Sequence, residues 1–191
     1  MIKFSTDRLN MTALTTDYLS STHAYASDPE NTLHMLFMPK CSLDETKKYL
    51  LMAEREWGKE SSRCFEFAIL LKREKTADEK DIHIGSLSVY LSEDRTSAEV
   101  GWILAKEYWR KGYGLEAAAG LIDWCRKIPG LSRLTAHCDE ANLPSRRIME
   151  KLGFILIDSK GRRKNRSSKT ESCEYTYLLE FTSCQNPQSD H

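Results

Sequence analysis

The sequence predicts one α+β (mixed α/β) domain around a single central sheet. Three observations predict it. The chain has 191 residues, enough for one sizeable core and too few for two ordinary domains. Its apolar spacing opens on a short strand alternation, is helical in two segments between Thr16 and Trp57, returns to strand alternation between Cys64 and Leu104, and then runs helix, strand, helix, strand, strand. No internal repeat or low-complexity stretch breaks this order.

The elements follow in turn. Met1 to Leu14 carries short apolar alternation and suggests a strand or two. Thr16 to Ala26 turns helical, with Asp17 in the first turn, and Asp28-Pro29-Glu30 stops it. A second helix follows Ser42, where Ser42 and Glu45 have capping-box spacing, and runs to Trp57. Cys64 to Leu71, Ile82 to Leu91 and Ser97 to Leu104 read as strands. The charged segment Lys72 to Asp81 is their first connection. In the third strand Ala98, Val100, Trp102 and Leu104 share one face, and Glu99, Gly101 and Ile103 the other. Gly114 to Lys127 is helical and ends at Pro129-Gly130. Arg133 to Asp139 is a strand, and Asn142 caps a helix to Leu152 with Gly153 as its stop. Phe154 to Asp158 and Cys173 to Phe181 complete the sheet. Residues 1–181 thus form the domain, and 182–191 are expected to be a disordered tail.

Lysine plus arginine balance aspartate plus glutamate, 28 against 28. That argues against broad electrostatic capture of nucleic acid. Cys41, Cys64, Cys125, Cys138, Cys173 and Cys184 are scattered without metal-ligand spacing, and read as small hydrophobes in a reducing compartment. No apolar run approaches a membrane span and no charged-then-apolar leader opens the chain, so a cytoplasmic protein is expected.

The most informative stretch joins the third meander strand to the next helix: Arg110-Lys-Gly-Tyr-Gly. Gly112 and Gly114 allow close backbone approach and positive φ. The free N–H groups of a helix start, its dipole, and the charges of Arg110 and Lys111 suit a phosphate. The pattern is neither the dinucleotide fingerprint, since residue 117 is alanine, nor a P-loop, since no Gly-Lys-Ser/Thr follows.

With its surroundings, this stretch resembles motif A of the GNAT N-acetyltransferase superfamily, in its RimJ/RimL-like branch. Thr6-Asp-Arg-Leu is similar to that branch's opening strand and Ala98-Glu-Val-Gly-Trp to its fourth strand. Residues 107–117 are similar to its pyrophosphate loop, and Asn142-Leu-Pro-Ser to Lys151-Leu-Gly-Phe to the helix after its fifth strand. The resemblance implies a mainly antiparallel sheet of about seven strands and four helices, splayed between strands four and five. It implies acetyl-CoA as cofactor, with the pyrophosphate on the backbone of Arg110, Lys111, Gly112, Tyr113, Gly114 and Leu115. The pantetheine arm would pair along Trp102, Ile103 and Leu104, with Asn142 and Ser145 near its thiol end. Two positions depart from the superfamily pattern: Trp109 stands where Gln or Arg is common, and Met149 where a proton-donating tyrosine is common. Ser145 is the nearest substitute donor.

Acetyl transfer needs a neutral amine, and a lysine-type amine has a pKa of about 10.4. Glu99 is the candidate base, at a position that often holds a carboxylate in this superfamily, with a solvated edge glutamate as the other reading. The N–H of Ile103 or Leu104 is the candidate oxyanion donor. His137 reads as a packed strand histidine, and Cys138 as a core thiol rather than a nucleophile, since the resemblance implies direct transfer. Glu116 lies in the cofactor helix's first turn and suits its N-terminus. The basic segment Lys160 to Lys169 is either a solvated hairpin loop or a reader of acidic substrate or RNA. Tyr18, Tyr25, Phe37, Tyr49 and Trp57 divide between core and acceptor pocket. Two acceptor classes stay open, a protein α-amine and a small-molecule amine. A CoA-binding regulatory module without catalysis is the alternative. No membrane partner is expected, and either a monomer or a homodimer fits.

Overall fold

The computed structural model describes residues 2–36, 42–75, 81–166 and 168–181. Cys41, Cys184, Phe37 and the expected tail lie outside them. Eight strands form one sheet in the order β1-β2-β3-β4-β5-β6-β8-β7. They are β1 (Ile2–Ser5), β2 (Leu9–Ala13), β3 (Cys64–Lys75), β4 (Asp81–Leu91), β5 (Ser97–Leu104), β6 (Arg133–Asp139), β7 (Ile155–Arg163) and β8 (Ser172–Glu180). The opening segment makes two strands because the chain reverses at Thr6–Arg8, where Thr6 N–H donates to Leu9 O at 2.9 Å. The count is therefore eight, and the fourth and fifth strands of the resemblance are β5 and β6. β3 also runs past Leu71 to Lys75, further than its apolar alternation reaches.

Among the described residues four helices flank the sheet: α1 (Leu19–Ser27), α2 (Leu43–Trp57), α3 (Tyr113–Cys125) and α4 (Leu143–Lys151). Ser42 caps α2 by accepting from Glu45 N–H at 3.2 Å. α1 opens through a single 3-10 turn at Thr16–Tyr18.

The sheet's two faces differ in chemistry. Strand alternation sends Phe67, Ile69, Leu87, Val89, Ala98 and Val100 to the face that packs Ala117, Leu121 and Ile122 of α3, in the main core. On the α1/α2 face, Leu14, Leu50, Ala68 and Leu70 form a smaller core. Beside it lies a polar region, Glu66 on β3 with Ser86, Ser88 and Tyr90 on β4, and Glu99 and Gly101 on β5.

Candidate active site

All neighbouring strands pair antiparallel except β5 and β6, which are parallel and share only three partner pairs, Ser97–Arg133, Ala98–Leu134 and Glu99–Thr135. β5 runs on to Leu104 and β6 to Asp139. β6 instead keeps its antiparallel partner β8 along its whole length. The sheet therefore forks immediately after Glu99.

The β4–β5 ladder fixes what faces the fork. Ala105 N–H donates to Ile84 O and Ser92 N–H to Ser97 O, both at 2.9 Å. Both bonds share the register of the Glu99–Tyr90 and Ile103–Ser86 pairs. Bonded pairs alternate along an antiparallel ladder, so Glu99, Gly101 and Ile103 spend their peptide groups on β4. Those of Val100, Trp102 and Leu104 turn into the fork. Leu104 O already accepts from Trp109 Nε1 and from the buried Asn31 Nδ2, each at 2.9 Å, which leaves its N–H. Of the two oxyanion candidates, Leu104 thus faces the fork, whereas Ile103 turns its N–H to β4 and buries its side chain against Tyr25 and Ala26.

The loop from β5 to α3 is set up for an anion. Arg110 has φ 60° and Gly112 φ 83°, left-handed values that favour glycine at the second position. Gly112 is the N-cap of α3 and no side chain caps the helix, so the first-turn N–H groups of Tyr113, Gly114 and Leu115 have no capping partner. Arg110 and Lys111 are exposed beside them. An edge of unpaired peptides leading to an uncapped helix start fits a molecule with an amide-bearing arm and a pyrophosphate. Acetyl-CoA has both.

Glu116 does more than complement the helix dipole. It accepts from Thr6 Oγ1 (2.6 Å), Arg8 N–H (2.8 Å) and Arg8 Nε (2.6 Å). Burial opposes its ionisation, yet these bonds and the guanidinium hold its carboxyl below the usual range. Arg8 also donates to Lys111 O at 3.0 Å and lies over the Tyr113 ring. The Thr6–Arg8 turn therefore clamps the anion loop from outside.

Beyond the fork, Asn142 Oδ1 accepts from Ser145 N–H at 3.2 Å and so caps α4. Ser145 is half-buried, and its hydroxyl has no partner among the described residues. Met149 is buried in the main core. α3 follows β5 and α4 follows β6, and the two meet where Ile148 packs at Gly114.

On the opposite face Glu99 is exposed at the fork's apex. Tyr90 is its cross-strand partner and donates its hydroxyl to Glu66 Oε1. Glu66 is only 7% exposed. Burial pushes its carboxyl up to about 7, against the pull of hydrogen bonds from Tyr90 and Tyr49. Burial and this carboxylate in turn raise both tyrosines. Sequence reasoning passed over Glu66; the available signal was one acid inside the otherwise apolar run Cys64-Phe-Glu-Phe-Ala-Ile-Leu-Leu. Tyr25 donates to Ser86 Oγ at 3.3 Å nearby. Tyr18 and Tyr49 pack at the smaller core, and Trp57 at the main one.

The basic segment is not uniformly solvated. β7 absorbs its first part, and two arginines turn inward. Arg163 donates to His34 O (2.8 Å) and pairs with Glu174 (3.3 Å). Arg166 donates to Ala26 O through Nη1 (2.8 Å) and to Met35 O through its N–H (2.7 Å). Asn165 donates to Asp139 Oδ2 at 2.5 Å, as does Ser172 Oγ. Burial opposes ionisation of Asp139, but the bonds from Ser172, Ala141 N–H and Asn165 keep its carboxyl below the usual range. The strap so formed ties the loop after α1, which packs on β5, to the end of β6. It bridges the fork's two arms. His137 contacts Thr176 at 3.1 Å on β8. Cys138 is buried and its thiol is pushed up to about 11 by burial, which opposes a nucleophilic role.

Comparisons with known proteins bear on this geometry. The model of the family described as "Acetyltransferase (GNAT) domain" matches residues 8–155. An uncharacterised N-acetyltransferase, p20 of Bacillus licheniformis, is 26% identical over 78% of this chain and 80% of its own length. YjdG of Bacillus subtilis, also an uncharacterised N-acetyltransferase, is 48% identical over 30% of this chain and only 34% of its own length. The fold is shared with a RimL ribosomal L7/L12 α-N-protein acetyltransferase solved with coenzyme A, at TM-score 0.76 and 14% identity over 94% of this chain and 98% of that one. It is shared also with a GNAT-family acetyltransferase from Bacillus anthracis, at TM-score 0.72 and 21% identity over 94% and 98% of the two chains.

Proposed function

Because this chain belongs to the GNAT acetyltransferase family, we propose that it transfers an acetyl group from acetyl-CoA to a primary amine by direct attack, with Glu99 as the base. The acceptor is a small-molecule amine or a protein N-terminus. The observation that carries the reading is the fork: β5 and β6 part directly after Glu99, so one carboxylate sits where an unpaired strand edge begins.

Bound acetyl-CoA supplies the acyl group as an activated thioester. The α3 N-terminus with Arg110, Lys111 and Gly112 would hold the pyrophosphate, and along the expected Trp102–Leu104 stretch the fork-facing peptides of Trp102 and Leu104 would hold the arm. Glu99 takes the ammonium proton, directly or through a water, so that the nitrogen lone pair is free. Leu104 lies five residues, about 16 Å, along β5 from Glu99, at the phosphate end of the fork, so the N–H that would meet the negative charge developing on oxygen is the one turned into the fork beside Glu99, that of Val100. Ser145 hydroxyl, without a partner among the described residues, would give its proton to the departing sulfur and take in exchange the second proton that the nitrogen sheds as the amide forms. No residue of the chain is acylated.

Acetyl-CoA binding by calorimetry, in wild type and Gly112→Glu, tests the donor half. Micromolar binding that the variant loses supports it, and no binding by the wild type sinks it. Glu99→Gln then tests the base: the expected loss is about 100-fold or more in kcat with acetyl-CoA binding retained. Unchanged kcat would remove Glu99 from the mechanism.

A further inference from the structure

The polar region between α2 and β5 contains a group that the transfer chemistry above does not use. Glu66 is a buried carboxylate with hydroxyl partners, Tyr90 and Tyr49, and no ion pair among the described residues. Burying such a group without a counter-ion costs several kcal/mol in general. It shares the sheet face of Glu99, two strands away through the pairs Glu66–Ser88 and Ser88–Gly101. Strand spacing and rise place the two Cα atoms roughly 12 Å apart. Tyr90 spans the interval, as the cross-strand partner of Glu99 and the donor to Glu66. Gly101 adds no side chain to the floor between them, where Ser88 Oγ would meet a Cβ at 2.8 Å.

Two carboxylates at this separation, with tyrosine rings between, suit two positive centres on one short molecule. We infer that Glu66, with the hydroxyls of Tyr49 and Tyr90, is a second cation subsite of the acceptor site, and that the preferred acceptor is a small primary amine carrying a second positive charge. This rests on the acetyltransferase reading and names the substrate class of that same site. The arriving cation supplies the counter-ion that Glu66 lacks. Its carboxyl, raised by burial to about 7, is returned to the ionised form by the ligand. The strap from Arg163 and Arg166 to the loop after α1 closes the far end of the fork. This favours a compact acceptor over a polypeptide lying across the face.

The test is steady-state acetylation by the full chain at saturating acetyl-CoA. Cadaverine, a straight five-carbon diamine, is compared with pentylamine and with a short peptide bearing a free α-amine. The wild type is expected to favour cadaverine over pentylamine at least tenfold in kcat/KM. Glu66→Gln is expected to lower that ratio at least tenfold, chiefly through the KM for cadaverine. Tyr90→Phe, at a side chain 41% exposed, is expected to lower it in the same direction by less. It decides the matter if Glu66→Gln does not fold. A structural role alone would lower both amines in proportion and leave the ratio where it was, which overturns the subsite. So do equal use of the two amines by the wild type, preference for the peptide, and bound acetyl-CoA with no turnover of any acceptor. Failure to bind acetyl-CoA instead overturns the transferase reading beneath it.

Discussion

Glu66 makes a prediction about stability as well as specificity. Its carboxyl ionises near pH 4.5 when exposed and near 7 in the folded chain. Between those values the unfolded chain has lost the proton and the folded chain keeps it. Stability contributed by the group is therefore complete at low pH and is lost as pH rises through 7. The shift of about 2.5 units corresponds to about 3 kcal/mol. Glu66→Gln keeps the shape and removes the titration. Wild-type minus variant stability should thus fall by about 3 kcal/mol between roughly pH 4.5 and 7.5 and then level off. His83 makes the comparison necessary. Burial lowers its imidazole to about 4, which gives stability that grows as pH rises from 4 to 6.5 and nearly cancels Glu66 in the wild type. Urea unfolding at four pH values, followed by tryptophan fluorescence, reads the difference directly. In melting temperature, the wild type should lose about 6–12 °C relative to the variant over the same range. A constant difference refutes the burial argument. A difference that grows with pH means that the folded state favours the carboxylate, and the ion-free account of Glu66 fails.

Three further outcomes are expected. Arg8→Ala releases the Thr6–Arg8 clamp from Lys111 O and Glu116, and should weaken acetyl-CoA binding about tenfold by calorimetry while leaving kcat at saturation nearly unchanged. Gly85→Ala places a Cβ 2.2 Å from Ile103 O; forcing β4 from β5 there should cost about 2 kcal/mol or more in urea unfolding. Asp139→Ala removes the acceptor of Asn165 and Ser172; the loss should be about 2–3 kcal/mol, with new trypsin cleavage in 160–169. The wild-type margin over this variant should shrink in acid, because a carboxyl held low loses its contribution as pH falls through its folded pKa.

Much of the candidate site's framework was legible because its geometry is local. The glycine turn, the helix after it and the alternation of β5 lie within one stretch of the chain, and Asn142 caps its helix within three residues. Glu99 could be placed on the face opposite Val100 by period alone. What could not be read depends on distant partners. Arg163 and Arg166 look solvated in a basic run, and are turned inward by carbonyls 129 and 140 residues away. Glu66 looks like a strand residue until β4 and α2 bring Tyr90 and Tyr49 to it. One strand or two stayed open for the opening segment because short apolar alternation cannot say whether the chain continues or reverses; Thr6–Arg8 reverses it.

The fork has a consequence for the order of events. An intact sheet is a wall between α3 and α4 on one side and α1 and α2 on the other. A parting between two strands is a window in it. In the proposed reading the donor's phosphates would lie at the α3 side and the acceptor at the Glu99–Glu66 face on the α1/α2 side, so the two reactants would use separate doors and neither would block the other. Direct transfer would then require both together at the window, with neither having to leave before the other arrives.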